Sequence, residues 1–251
     1  MVEDVLAVIP ARYASTRFPG KPLAVICGKP MIEHVWKAAT MCRSVSKVVV
    51  ATDDARIRDA AFAFGAECVL TGPCETGTDR VVWVASEHHH PLVLNIQGDE
   101  PLLQPEWLDA LIAPLRSRPT IQMSTLRAPI RDPREMDDPN VVKVVVRRDS
   151  TALYFSRARI PYPRERESLG FKHVGLYGYR RGFLLGYSGL PYSPLEDAEK
   201  LEQLRALEAG VMIAAPLCDI ESVSVDRPED IPRVELIMKS RQAAKAAGET
   251  G

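Results

Sequence analysis

Five consecutive apolar residues, 5–9, closed by Pro10 and followed by a loop carrying Arg12, Arg17 and Lys21, constrain this chain more than any other stretch. A short run with β-branched residues, bounded by proline, reads as a strand buried on both faces, and such strands belong to parallel sheets covered by helices. The loop leaving the carboxyl end of such a strand is where ligands gather. Met31, Ile32, Val35, Trp36 and Ala39 then recur at helical spacing, with Glu33, His34 and Lys37 on the other face. Strand, loop and helix form the opening unit. The alternation continues with a strand over 48–51, a helix over 55–64, a strand over 68–70, a helix over 78–87 and a strand over 92–96. This predicts an α/β fold, a Rossmann-like doubly wound, mostly parallel sheet with helices on both faces.

Beyond residue 120 the pattern changes. Apolar runs over 141–146 and 153–155 flank a turn at Asp149 and Ser150, which predicts an antiparallel hairpin excursion whose apolar character invites a partner. Ser193, Pro194 and Glu196 supply the cap, first-turn proline and capping acid of a helix, with Leu201 and Leu204 on its apolar stripe. Its polar face would carry Glu199, Glu202, Gln203 and Arg205. Strands over 211–215 and 222–225 and a helix over 228–240 follow, and the Ala/Gly-rich tail 241–251 is expected to fray. The whole reads as one domain with a hairpin at about 139–160.

A chain of 251 residues, 46% apolar, buries a sizeable core, and 32 basic against 33 acidic residues leave a formal charge of -1. That balance gives no overall field for nucleic acid or an anionic membrane, so basic chemistry must be local. Glu3 and Asp4 precede only five apolar residues, which lacks the flank and length of a signal peptide and predicts a cytoplasmic protein. The five cysteines, scattered and without a C-x-x-C pair, predict reduced thiols.

The loop 11–21 reads A-R-Y-A-S-T-R-F-P-G-K. Planar guanidinium donors, a compact ammonium, hydroxyls and glycine together make a polyanion cradle, although no Walker A pattern is present. At 95–101, N-I-Q-G-D-E-P places Asp99 and Glu100 at the end of a buried strand. A hard divalent ion suits that place, and Mg²⁺ takes one or two carboxylates plus phosphate oxygens, so Asp99 needs a partner. Asp226 is the candidate, against an alternative in which it caps a helix with Glu229. His173, before an apolar strand, is a ligand contact or a satisfied structural group, and His88, His89 and His90 read as a solvated helix end. No nucleophile with an adjacent base is recognisable.

The run 9–23, I-P-A-R-Y-A-S-T-R-F-P-G-K-P-L, resembles the signature loop of CMP-Kdo synthetases, the 3-deoxy-manno-octulosonate cytidylyltransferases. T-G-T-D-R from Thr76, N-I-Q-G-D-E-P from Asn95, P-N-V-V-K-V-V from Pro139, H-V-G-L-Y-G-Y-R from His173, L-E-Q-L-R from Leu201 and V-D-R-P-E-D from Val225 extend the likeness, in order, over about 4–240. The resemblance implies a nucleotide-diphospho-sugar transferase fold and transfer of CMP from CTP to Kdo for lipopolysaccharide synthesis. It implies that Ala11, Arg12, Ser15, Arg17, Lys21, Arg80 and Gln97 hold the nucleotide, and that Arg12, Lys21, Asp99 and Asp226 are catalytic. It further implies that Asp99 and Asp226 bind Mg²⁺, that Gln97, His173, Tyr177, Glu202 and Gln203 meet the sugar, and that the hairpin forms a homodimer. Asp79 stands where the family usually has Glu. The 8-amino analogue of Kdo, a sialic acid acceptor, or a silent nucleotide-sugar binder on the same scaffold are the alternatives.

Overall fold

The protein is described from a computed structural model covering residues 4–14, 18–165, 169–220 and 225–248. In chain order it forms β1 (Val5–Ala11), β2 (Val25–Ile26), β3 (Lys29–Pro30), α1 (Met31–Met41), β4 (Lys47–Thr52), α2 (Ala55–Ala63), β5 (Glu67–Leu70), α3 (Gly77–Ser86) and β6 (Leu92–Asn95). There follow α4 (Pro105–Ser117), β7 (Met123–Pro129), β8 (Lys143–Val146), β9 (Ala152–Ser156), β10 (Phe171–Arg180), α5 (Arg181–Leu185), α6 (Pro194–Glu199), α7 (Gln203–Glu208), β11 (Ile213–Ala214) and α8 (Ile231–Gly248). The α/β class and its opening alternation are those read from the sequence. The chain gathers into two compact units, a first of Met1–Leu6, Ala85–Asn95 and Glu106–Ile220, and a second of Ala7–Val84, Ile96–Pro105 and Glu221–Gly251.

In the first unit, β10 lies between β6 and β7 and is antiparallel to both, while β7 pairs in parallel with β11. Strands β6, β7 and β11 therefore run one way, and β10 is the reversed member. The hairpin forms from β8 and β9, and β8 also pairs with β10. Leu108, Leu111, Ile112 and Leu115 of α4 are buried, as are Leu92, Val93 and Leu94 of β6 and Leu176 and Tyr179 of β10. Gly178 is required where they meet. A Cβ there would lie 2.7 Å from Ser124 Oγ and 3.0 Å from Leu115 Cδ1, closer than packed atoms allow.

In the second unit β4 and β5 pair in parallel. The apolar run read as the opening strand is fully buried from Val5 to Ile9, because a strand covered on both faces leaves no polar edge to solvate. Beside it, the Ile96 amide donates to the Val8 carbonyl at 3.0 Å, which carries the chain toward the Asp99 turn. Ile26, Met31, Leu102, Val225 and Val234 form a further core cluster, to which α8 contributes.

Two expectations are corrected. The helix opened by Ser193 is two short helices, α6 and α7, because Lys200 takes a left-handed conformation (φ 51°) that ends α6. The break turns the next residues inward, so Gln203 is 2% exposed and not on a polar face. The tail read as frayed carries α8 as far as Gly248, in keeping with its alanines. Most of the strand expected over 222–225 lies outside the described residues, and Val225 is not in a strand.

Candidate active site

In the second unit the cationic loop leaves β1 after Ala11, which is buried. Arg12 is exposed and donates from Nη1 to the Glu75 carbonyl at 3.4 Å. Ser15 and Arg17 lie outside the described residues. The far end of the loop returns onto its start, where the Gly20 amide donates to the Tyr13 carbonyl at 2.9 Å. Gly20 has φ +70°, open to glycine, and a Cβ there would sit 3.1 Å from the Tyr13 ring. That ring lies 3.3 Å from the Arg56 guanidinium, and Arg56 is itself gripped by both Asp54 oxygens at 2.9 and 2.6 Å. Tyr13, Arg56 and Asp54 thus brace the loop's base.

The brace leads directly to Lys21, whose Nζ lies 2.6 Å from Asp99 Oδ2 and 3.6 Å from Asp226 Oδ1. The two acids are far apart in sequence and meet because the Val225 amide donates to the Asp99 carbonyl at 3.1 Å. The helix-capping alternative for Asp226 does not hold. The capping carboxylate is Asp230, which accepts from the Asp226 and Arg227 amides at 2.8 Å each. Two carboxylates converging on one cation, the Lys21 ammonium, form a donor set that fits Mg²⁺, an ion that completes its shell with water and phosphate oxygens. No cluster of three or more such ligands exists among the described residues.

Arg80 is fully buried, and both of its terminal nitrogens are engaged, Nη1 with Thr71 Oγ1 and Nη2 with Asp53 Oδ2 at 2.7 Å. It braces the ends of β4 and β5, and its Nε has no partner among the described residues. Gln97 is partly buried and opens the Asp99 turn, its carbonyl accepting from the Glu100 amide at 3.3 Å. Asp79 accepts from the Thr76 amide and hydroxyl at 3.0 and 2.9 Å, while Thr76 Oγ1 accepts from the Asp79 amide at 3.1 Å. This reciprocal cap shows that aspartate performs the local task at that position.

The first unit brings His173, Tyr177, Glu202 and Gln203 together. The His173 ring lies 5.1 Å from Phe155 and 5.5 Å from Tyr177, centroid to centroid. Burial pushes the His173 pKa down to about 3, so its imidazole is neutral. Burial, reinforced by the Glu202 carboxylate, holds the Tyr177 phenol well above its ordinary range, so it stays protonated and donates to Gln203 Oε1 at 3.1 Å. With that oxygen taken, the Gln203 Nε2 group is buried and has no partner among the described residues, a donor still to be satisfied. Glu202 sits at the start of α7, and its carbonyl accepts from the Tyr187 hydroxyl at 2.9 Å. Neutral imidazole, carboxamide and carboxylate together suit a polyhydroxylated ligand.

Sequence reasoning missed Thr125, which contacts His173, and the Tyr13–Arg56–Asp54 brace. A threonine inside a strand signals only β propensity. Arg56 and Asp54 carry the ordinary signature of a helix start.

The sequence profile of the cytidylyltransferase family, described as "Cytidylyltransferase", matches residues 6–215. The 3-deoxy-manno-octulosonate cytidylyltransferase of Syntrophotalea carbinolica is 52% identical over 92% of this chain and 97% of its own length. The 8-amino-3,8-dideoxy-manno-octulosonate cytidylyltransferase of Shewanella frigidimarina is 46% identical over 92% of this chain and 97% of its own. A solved CMP:2-keto-3-deoxy-manno-octonic acid synthetase complexed with CTP superposes with a TM-score of 0.91 at 43% identity, covering 95% of this chain and 99% of that one. By the profile match and by these full-length identities, the chain belongs to the cytidylyltransferase family, among the 3-deoxy-manno-octulosonate cytidylyltransferases.

Proposed function

We propose that this protein transfers CMP from CTP to 3-deoxy-D-manno-octulosonate, giving CMP-Kdo and pyrophosphate, and so activates Kdo for lipopolysaccharide synthesis. The observation that carries the reading is the convergence of Asp99 and Asp226 on Lys21, at 2.6 and 3.6 Å, next to the cationic loop. The anomeric hydroxyl of the sugar attacks the α-phosphorus, a new oxygen–phosphorus bond forms, and the bond to the β-phosphate breaks. Such a displacement needs positioning and charge rather than a covalent nucleophile. Asp99 and Asp226 would hold Mg²⁺, which when bound neutralises charge on the transferring and leaving phosphates.

Arg12, Ser15, Arg17 and Lys21 would grip the triphosphate from the loop after Ala11, and Gln97 would reach nucleotide and sugar. Arg80, with both terminal nitrogens engaged, would act by holding the nucleotide-side strand ends in place. His173, Tyr177, Glu202 and Gln203 would meet the sugar acid, Gln203 Nε2 donating and the neutral imidazole accepting. The hairpin β8–β9, where Leu153 is half exposed, would join two copies into a homodimer. No helix among the described residues is long and apolar enough to cross a membrane, and a cytoplasmic enzyme is the proposed setting.

The test is pyrophosphate release with Mg²⁺, crossing CTP, UTP, ATP and GTP against Kdo, 8-amino-Kdo and N-acetylneuraminate. Turnover confined to CTP with Kdo is expected. Turnover with the amino sugar alone would move the acceptor to the chemistry named for the Shewanella relative. Turnover with the sialic acid, or none, would reject the reading. Light scattering at micromolar concentration is expected to give twice the chain mass, and a monomer would reject the hairpin assignment.

A further inference from the structure

We infer that Thr125 is a positioning residue of the sugar site, holding His173 in the tautomer that carries its proton on Nε2 and leaves Nδ1 as a hydrogen-bond acceptor for a hydroxyl of the polyhydroxy acid. The inference rests on the proposed reading only in placing the sugar against His173. The tautomer itself follows from counting protons.

Thr125 is fully buried, and its Oγ1 lies 3.0 Å from the Val174 carbonyl, 2.8 Å from the Leu176 carbonyl and 2.9 Å from His173 Nε2. A hydroxyl has one proton. Both carbonyls can only accept, so that proton goes to them, shared between the two. Oγ1 is then the acceptor toward the ring, and Nε2 must be the donor. Were the hydroxyl to donate to the ring instead, two carbonyl oxygens would face a buried oxygen without a proton between them, at the cost of leaving both unsatisfied by that group. Nδ1 has no protein partner among the described residues, and its lone pair is what the site offers.

The same hydroxyl explains how His173 and Tyr177 meet. Along a regular strand, residues four apart are separated by about 13 Å, yet these ring centroids are 5.5 Å apart. The register of β10 against β7 slips between Val174 and Tyr177, so that Val174 faces Leu126 and Tyr177 faces the adjacent Thr125. A bulge of this kind takes carbonyls out of the ladder. The two to which Thr125 Oγ1 donates, those of Val174 and Leu176, lie on that stretch. Thr125 therefore ties off the bulge that draws the two rings together and fixes the proton on one of them. The downstream member, Tyr177, in turn donates to Gln203 Oε1 and so orients its carboxamide, leaving Nε2 as a buried donor.

The experiment is long-range ¹H–¹⁵N correlation on histidine-labelled enzyme, with the His173 signals assigned by their loss in His173→Gln. Neutral imidazole protonated on Nε2 is expected in the wild type. Thr125→Val should mix or invert the tautomers and raise the KM for the sugar about tenfold, as for a lost hydrogen bond, with the KM for CTP unchanged. Thr125→Ser should restore both. A wild-type ring protonated on Nδ1, or a Thr125→Val enzyme with the tautomer unaltered, would overturn the inference whatever the sugar. If the tautomer is as expected but His173→Gln leaves the sugar KM unchanged, the sugar assignment of this site fails instead.

Discussion

Lowering the pH should cost this protein stability through His173, by an amount that can be worked from its environment. An imidazole with an ordinary pKa of about 6.5 in the unfolded chain is pushed down to about 3 in the fold by burial alone. Between those values the unfolded chain binds a proton that the folded one refuses, so stability rises with pH across the window and falls as acid is added. The contribution is negligible at pH 7.5, where both states are neutral. At pH 5 it amounts to about 2 kcal/mol of lost stability, and below that the slope approaches about 1.4 kcal/mol per pH unit. The assay is urea denaturation of wild type and His173→Gln at pH 7.5, 6 and 5. Glutamine does not titrate, so the variant should lose about 2 kcal/mol less than the wild type over this range, whatever packing cost it carries at pH 7.5. Equal losses in both proteins would show that His173 is not held neutral, and the accounting of its surroundings would be refuted.

Asp99→Asn and Asp226→Asn should each raise the Mg²⁺ concentration needed for half-maximal turnover by tenfold or more, as about 1.4 kcal/mol of lost ligation would, with little change in melting temperature; a normal Mg²⁺ titration in either would remove that residue from the metal set. Gly178→Ala forces a Cβ to within 2.7 Å of Ser124 Oγ and should destabilise the fold, by about 1–3 kcal/mol in urea titration; a neutral result would mean that strand β10 shifts freely. Arg80→Met leaves Asp53 and Thr71 without their guanidinium. It should cost about 2 kcal/mol and raise the KM for CTP before that for the sugar; a change in the sugar KM alone would contradict its place at the ends of β4 and β5.

The opening strands and helices were legible because each announces itself locally. An apolar run such as Val5 to Ile9 has only one way to be buried, and the helical spacing from Met31 onward names its own face. What stayed hidden depends on partners distant in sequence. Nothing local distinguishes β10 as the reversed strand between β6 and β7, since an apolar strand looks the same in either direction. Likewise the Ser193 capping signal is correct as far as it goes, but it cannot show that Lys200 will turn left-handed and swing Gln203 inward. Lys21, Asp99 and Asp226 were each visible as charged groups beside strand ends. Their convergence is made by a backbone hydrogen bond from Val225 to Asp99, which carries no side-chain signature.

That convergence bears on how the site waits for its substrates. Two carboxylates brought close together repel, and at an effective dielectric of about 20 unit charges 4 Å apart interact by about 4 kcal/mol. Placing the Lys21 ammonium against both offsets much of that repulsion before any ligand arrives. The same ammonium sits at the end of the cationic loop, so under the proposed function a triphosphate arriving with a divalent ion would bring both a new partner for the lysine and a new cation for the acids. Charge is exchanged among groups already in place rather than created or buried anew, which is the condition for electrostatic stabilisation with little reorganisation. On the proposed reading Lys21 would be both a ligand for phosphate and the counter-ion that lets Asp99 and Asp226 share one corner of the fold. Its replacement by methionine should damage the site twice, by loosening the Asp99 turn and by weakening the grip on CTP, whereas Lys21→Arg should spare the first and lose only the second.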